Sequence, residues 1–250
     1  MVAIPNWSES SDFKLQQGVI GIWLCQIDAV QERLGYFSSL LSTEEQARAQ
    51  RFKFEIHRNR FIISHGFMRS VLARYLNIEP VRILYLYGDR GKPSLISFDC
   101  DSLGLKFNMS HTQDITLLAV TRNAELGIDV EFIDQESDWK NIAHQFFTQS
   151  EQQSLFSLAK EKQRKAFYQL WTRKEAYMKM LGDGLYLPST ASSLTVPPQS
   201  PGLIRNPLTK DQSSMQVEFI NIDLPIVLSN YCATLVAESS SCECHYYQYS

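Results

Sequence analysis

The chain has no run approaching the roughly 20 apolar residues needed to cross a bilayer. Met1 to Asp12 also lacks the basic start and apolar core of a secretory leader. A soluble, cytoplasmic protein without membrane association is the expectation. Neither sign of charge dominates: 24 Lys and Arg against 27 Asp and Glu give a formal net charge of −3 and a pI near 6.0. A surface drawn as a whole to nucleic acid is therefore excluded, and any anion site must be local. Cysteine is scarce and odd in number. Cys25, Cys100, Cys232, Cys242 and Cys244 form no disulfide framework and suit a reducing compartment. Cys242-Glu243-Cys244-His245 offers three ligands without the usual second pair, so the end of a C-terminal strand is a stronger reading than zinc.

What is present is a 250-residue chain, 44% hydrophobic, enough for one large core or two smaller ones. Val19 to Ile27 reads as a buried strand, Ser42 to Asn77 as helix, Ile83 to Tyr87 as a strand, and Lys106 to Thr121 as two extended segments. Ile128 to Phe132 is a further strand. A second helical stretch covers Ser150 to Leu181 with a break near Lys160 to Lys165. The Ser/Pro-rich stretch Pro188 to Gly202 reads as loop before strands at Met215 to Ile222 and Tyr231 to Ala237.

The two helical stretches open alike. Ser42 to Glu45 and Thr148 to Glu151 are both S/T-x-x-E capping boxes, and a shift of 106 residues carries the first onto the second. The same shift places Phe61 on Phe167, Met68 on Lys174 and Leu72 on Met178. With their flanking strands these suggest an α+β fold of two similar halves, residues 1–132 and 133–250, with a site at their junction. Two amphipathic helices with common caps remain the plain alternative.

In Gly127-Ile128-Asp129-Val130-Glu131 the strand period of two puts both carboxylates on one face. They repel unless protons or a cation intervene, and a hard divalent ion is the natural complement; a strand with one wet face has the same pattern. Trp171-Thr172-Arg173-Lys174-Glu175-Ala176 adds a third carboxylate. Tyr168, Thr172, Glu175 and Lys179 share one helical stripe, and Glu175 with Lys179 also fits a simple exposed i,i+4 pair. A magnesium ion here implies a phosphorylated substrate with Lys179 close by. Gly91-Lys92-Pro93 presents a lysine on a turn, and Asn108, Ser110 and His111 cluster polar groups at a strand end. Arg48, Arg51, His57, Arg58 and Arg60 add charge on the first helix.

In this order the segments resemble the Sfp-type 4′-phosphopantetheinyl transferase family in its long, pseudo-dimeric form, over roughly residues 20 to 187. The Gly127 to Glu131 strand, the Trp171 to Ala176 helix about 40 residues on, and Gly182-Asp183-Gly184-Leu185 carry the resemblance. It implies that phosphopantetheine passes from coenzyme A to a serine of an apo acyl or peptidyl carrier protein, with release of 3′,5′-ADP. By the same resemblance Asp129, Glu131 and Glu175 hold Mg²⁺ against the pyrophosphate and Lys179 neutralises it. Lys92, Pro93, Ser110 and His111 hold the adenosine end and its 3′-phosphate, together with Arg48, Arg51 and Arg60. Glu45 stands where relatives often carry a second cation. Glu151 is at once a candidate base for the serine hydroxyl and the N3 residue of a capping box. A monomer is implied. Another magnesium-dependent transferase or hydrolase of nucleotides leaves the order and spacing of these segments unexplained. A binding module without turnover sits poorly with three intact carboxylates.

Overall fold

The computed structural model describes residues 7, 15–88, 91–96, 104–182, 190–205, 217–238 and 242–249. The strands are β1 Val19–Gln26, β2 Leu84–Tyr87, β3 Pro93–Ile96, β4 Leu105–Thr112, β5 Ile115–Arg122, β6 Leu126–Phe132, β7 Ser193–Leu194, β8 Leu203–Arg205, β9 Val217–Asn221, β10 Tyr231–Glu238 and β11 Glu243–Tyr249. The helices are α1 Leu34–Ser39, α2 Thr43–Ala49, α3 Glu55–Leu76, α4 Trp139–Phe146, α5 Gln149–Phe156 and α6 Lys160–Leu181. They fall into two units, Asn6–Asn123 with Glu243–Ser250, and Ala124–Cys242. Relative to the halves expected at 1–132 and 133–250, β6 packs with the second unit and β11 with the first. No helix among the described residues is long and apolar enough to cross a membrane.

In the first unit the sheet order is β11-β1-β5-β4. β1 runs parallel to β11 and antiparallel to β5, and β4 and β5 form a hairpin. Seven of the eight β1 residues are buried, which is why this strand reads as a nearly continuous apolar run. Cys244 and His245 lie in β11 opposite Ile20 and Gly21. α3 rests on this sheet: Ser64 Oγ is 2.7 Å from Thr116 Oγ1, Ser70 Oγ is 2.8 Å from Tyr249 Oη, and Trp23 Nε1 donates to Tyr75 Oη at 2.9 Å.

The helix expected over Ser42 to Asn77 is two helices. Ser42 accepts from the Glu45 N–H and Glu45 from the Ser42 N–H, so the capping box is complete. The chain then turns at Gln50 to Phe54 and α3 runs 22 residues to Asn77, whose left-handed conformation ends it. The turn has a packing cause. Glu45 Oε2 accepts from Arg69 Nε at 2.6 Å, with both residues buried. In one straight helix residues 24 positions apart would stand about 36 Å apart.

The second unit repeats the plan. α5 begins with a complete Thr148/Glu151 capping box, and the break expected near Lys160 to Lys165 lies just before it, at Ser157 to Ala159. α6 is again 22 residues long. Its sheet order is β6-β10-β9, all antiparallel, matching β1-β5-β4: first strand, then the second strand of the following hairpin, then the first. Trp139, Phe147, Phe167, Leu170 and Tyr177 fill the core between α6 and its surroundings. The stretch read as loop contains the short strand β7, paired with β8.

Candidate active site

β6 and α6 build the acidic cluster of the second unit. Asp129 lies opposite Thr234 of β10, and Thr234 Oγ1 is 3.0 Å from Thr172 Oγ1 of α6. Directly opposed residues share a sheet face, so α6 covers the face that carries Asp129 and Glu131. Gly127, two residues back, shares it too. A Cβ built there would meet the Ala176 carbonyl oxygen and the Met180 amide nitrogen, with the Lys179 carbonyl carbon at 3.0 Å. Only glycine lets the helix backbone come this close to the strand.

That approach brings side chains together. Lys179 Nζ donates to Asp129 Oδ1 at 2.7 Å and to the Ile128 carbonyl at 3.3 Å. Asp129 is buried and Glu131 and Glu175 are half-buried. Burial first, then the Asp129 charge and, less strongly, Glu175 push the Glu131 carboxyl up to about 7, against the opposing pull of Lys179 and a hydrogen bond from Trp171. The Glu131 carboxyl thus senses both other carboxylates and the Lys179 ammonium.

Glu151 is placed differently. It is 1% exposed; Oε2 accepts from the Thr148 N–H at 2.7 Å, Oε1 accepts from the Leu194 N–H at 2.8 Å, and Lys174 Nζ lies 3.0 Å from Oε1. Lys174, also buried, donates to the Ser192 carbonyl at 3.0 Å. This buried pair is absent from any reading of α6 by amphipathic stripe, which assigns consecutive charges to solvent.

The remaining predicted residues lie in the first unit. Arg48 is exposed, its guanidinium 5.2 Å from the Phe61 ring centroid. Arg51 is exposed in the turn after α2. Arg60 is engaged with Asp114 at 2.7 Å. Lys92 lies in the connection between β2 and β3, and Pro93 opens β3. Ser110, buried, and His111, exposed, sit on β4 opposite Leu117 and Thr116. Glu45, in the position of an expected cation, is held by Ser42, His65 and Arg69. Asp183 to Leu185 lie outside the described residues.

Residues 125–236 match the model of the 4′-phosphopantetheinyl transferase superfamily, and residues 28–123 match that of the 4′-phosphopantetheinyl transferase N-terminal domain. The 4′-phosphopantetheinyl transferase HetI of Nostoc sp. is 40% identical over 166 residues, 66% of this chain and 70% of that protein. The chain belongs to the 4′-phosphopantetheinyl transferase superfamily. Sfp of Bacillus subtilis is 30% identical over 164 residues, again 66% of this chain and 70% of that protein. The gsp transferase of Aneurinibacillus migulanus is 36% identical over 153 residues, 61% of each. The two family models meet between β5 and β6, where the two units of this transferase also divide.

Among the described residues no three His, Cys, Asp or Glu side chains already form a metal cage. The donor set nevertheless fits a hard divalent cation: Asp129, Glu131 and Glu175 offer only carboxylate oxygens, and Lys179 balances one of three negative charges. Burial is the main reason the Glu131 carboxyl is raised, and the uncompensated Asp129 charge adds to it.

Proposed function

We propose that this transferase moves the 4′-phosphopantetheine of coenzyme A to a serine of an apo acyl or peptidyl carrier protein, releasing 3′,5′-ADP. The observation that carries the reading is the Asp129, Glu131, Glu175 and Lys179 cluster on β6 and α6 of a family member. In this reading Asp129, Glu131 and Glu175 hold Mg²⁺, which when bound supplies charge stabilisation to the pyrophosphate oxygens. Lys179, which donates to Asp129 and the Ile128 carbonyl, neutralises the same phosphates in this reading. Lys92, Pro93, Ser110 and His111, with Arg48, Arg51 and Arg60, take the adenosine end and its 3′-phosphate. Glu151 enters as base for the serine hydroxyl and as cap of α5. Its hydrogen bonds support the cap; Glu151→Gln keeps one acceptor but removes the base and the charge that pairs Lys174, so its turnover is read beside its unfolding midpoint, and a parental rate removes the base from the proposal. The enzyme acts as a cytoplasmic monomer.

The test is the intact mass of an apo acyl carrier and an apo peptidyl carrier protein after incubation with the enzyme, coenzyme A and Mg²⁺, with and without EDTA. One phosphopantetheinyl increment that EDTA abolishes is expected. An increment insensitive to EDTA removes the metal from the proposal, and no increment on either carrier overturns the stated substrates.

A further inference from the structure

Arg173 is 1% exposed, and its guanidinium meets no carboxylate among the described residues. Nε donates to Asn221 Oδ1 at 3.4 Å, one terminal nitrogen to the Thr195 carbonyl at 2.7 Å, and the other to the Gln199 carbonyl at 3.3 Å. All three acceptors are neutral. Burial lowers its pKa to about 10, opposed only in part by the buried Cys232 thiol. Charges inside proteins are as a rule paired, and among the described residues this one has no carboxylate counter-charge.

Arg173 is among the residues lining a cavity of about 700 Å³, within the size of small-molecule sites. Its other charged walls are Lys162 and Lys165, both exposed, and among the described residues neither Asp nor Glu lines it. Three positive charges therefore face one cavity in a chain of net charge −3. The start of α6 adds a partial positive charge, since Ala159 at the N-cap has no side chain to cap the first N–H groups, although Glu161 in the first turn offsets part of it. Leu158, Ala166 and Pro198 supply apolar wall. Arg173 precedes Glu175 by two positions, about 200° around the helix, so the cavity lies on the side of α6 away from the carboxylate cluster.

We infer that this cavity is a second binding site, for a small organic anion whose oxyanion completes Arg173 and whose body lies on the apolar wall. Phosphate esters and carboxylates share that chemistry. The site is independent of the transfer reaction. The test is a ¹H–¹⁵N titration of the whole chain with phenyl phosphate and, separately, benzoate. Saturable shifts are expected at the amides of Ser157 to Ala166 and Gln199 to Gly202, and the arm that saturates first names the head group. In Lys162→Gln/Lys165→Gln, whose exposed side chains leave the fold intact, affinity should fall about tenfold or more. The inference is overturned by shifts confined to the Asp129 and Lys179 region, by equal affinity in the double variant, or by a response to hexaglutamate with none to either small anion. The carrier mass assay reads the transfer reaction separately.

Discussion

A single methyl group at Gly127 tests whether helix and strand contact builds the site. In Gly127→Ala the new Cβ collides with the Ala176 carbonyl oxygen and the Met180 amide nitrogen, and stands 3.0 Å from the Lys179 carbonyl carbon. These are backbone atoms inside a 22-residue helix, so no side chain can swing aside. Relief requires α6 to retreat by about 1 Å, and overpacking of this kind costs about 3 kcal/mol, the upper end of the usual range. For a chain of this size that is a fall in Tm of about 6–12 °C. The same retreat lengthens the 2.7 Å Lys179 to Asp129 contact, and a misplacement of about 1 Å at a reacting centre costs about 100-fold in rate. Gly35→Ala is the control: Gly35 is helical, and a Cβ there meets nothing within 4 Å, so it should be neutral or stabilising by up to about 1 kcal/mol. Thermal unfolding and carrier modification, measured well below the variant's midpoint, read both effects. A Gly127→Ala protein with parental midpoint and rate would refute the claim that this approach positions Lys179 and Glu175.

Asp129→Ala and Glu175→Ala should each reduce carrier modification to background with circular dichroism unchanged, and activity retained in either variant removes that carboxylate from the metal set. Lys174→Met leaves the Glu151 carboxylate buried without its cation and should cost about 3–5 kcal/mol in urea unfolding, with much of the loss recovered in Glu151→Gln/Lys174→Met; simple additivity would dissolve the pair. Burial alone would raise the Glu45 pKa, but hydrogen bonds from His65 and the Ser42 N–H and the Arg69 charge outweigh it, and the carboxyl is held below its ordinary value. The folded state therefore binds this proton less tightly than the unfolded chain. Its stabilisation is complete above about 4.3, the unfolded value, and disappears as pH falls through the folded value. Glu45→Gln should be about 3 kcal/mol less stable at pH 7, and the gap should close in the acid limb of a pH and unfolding series; a gap independent of pH assigns the effect to packing instead.

Much of this was legible because it is local. Capping boxes need four consecutive residues, and the strand and helix periods alone place Asp129 with Glu131 and Glu175 with Lys179. What stayed hidden depends on partners distant in sequence. The turn at Gln50 to Phe54 has neither glycine nor proline and follows from the pairing of Glu45 with Arg69. The pairing of β11 with β1 joins the two ends of the chain. Arg173 and Lys174 are drawn inward by carbonyls of the segment from Ser192 to Gln199, which no helical pattern reports. Gly127 was visible as a motif residue, but its role as the point of closest helix approach appears only when α6 is laid on β6.

The shift of 106 residues that joins the capping boxes extends further than the helices. It carries Gly127-Ile128 onto Gly21-Ile22, in the first strand of each unit. It then carries Asp129 onto Trp23, Glu131 onto Cys25, Glu175 onto Arg69 and Lys179 onto Ala73. Every member of the acidic cluster has lost its character in the first unit, while the capping glutamates, Glu45 and Glu151, remain and each holds a buried cation on the following helix. The replacements make sense as packing. Trp23 donates to Tyr75, Cys25 is buried with its thiol pushed up to about 12, and Arg69 takes the charge of Glu45 where Glu175 would have added to it. One fold, used twice, thus keeps its acid-and-base scaffold in both copies and the acidic cluster in one. The capping pair is common to both units and the β6 and α6 carboxylates belong to one, so under the proposed function Glu175 should respond to substitution through turnover with the fold kept, whereas Glu151 should respond through stability as cap and through turnover as base.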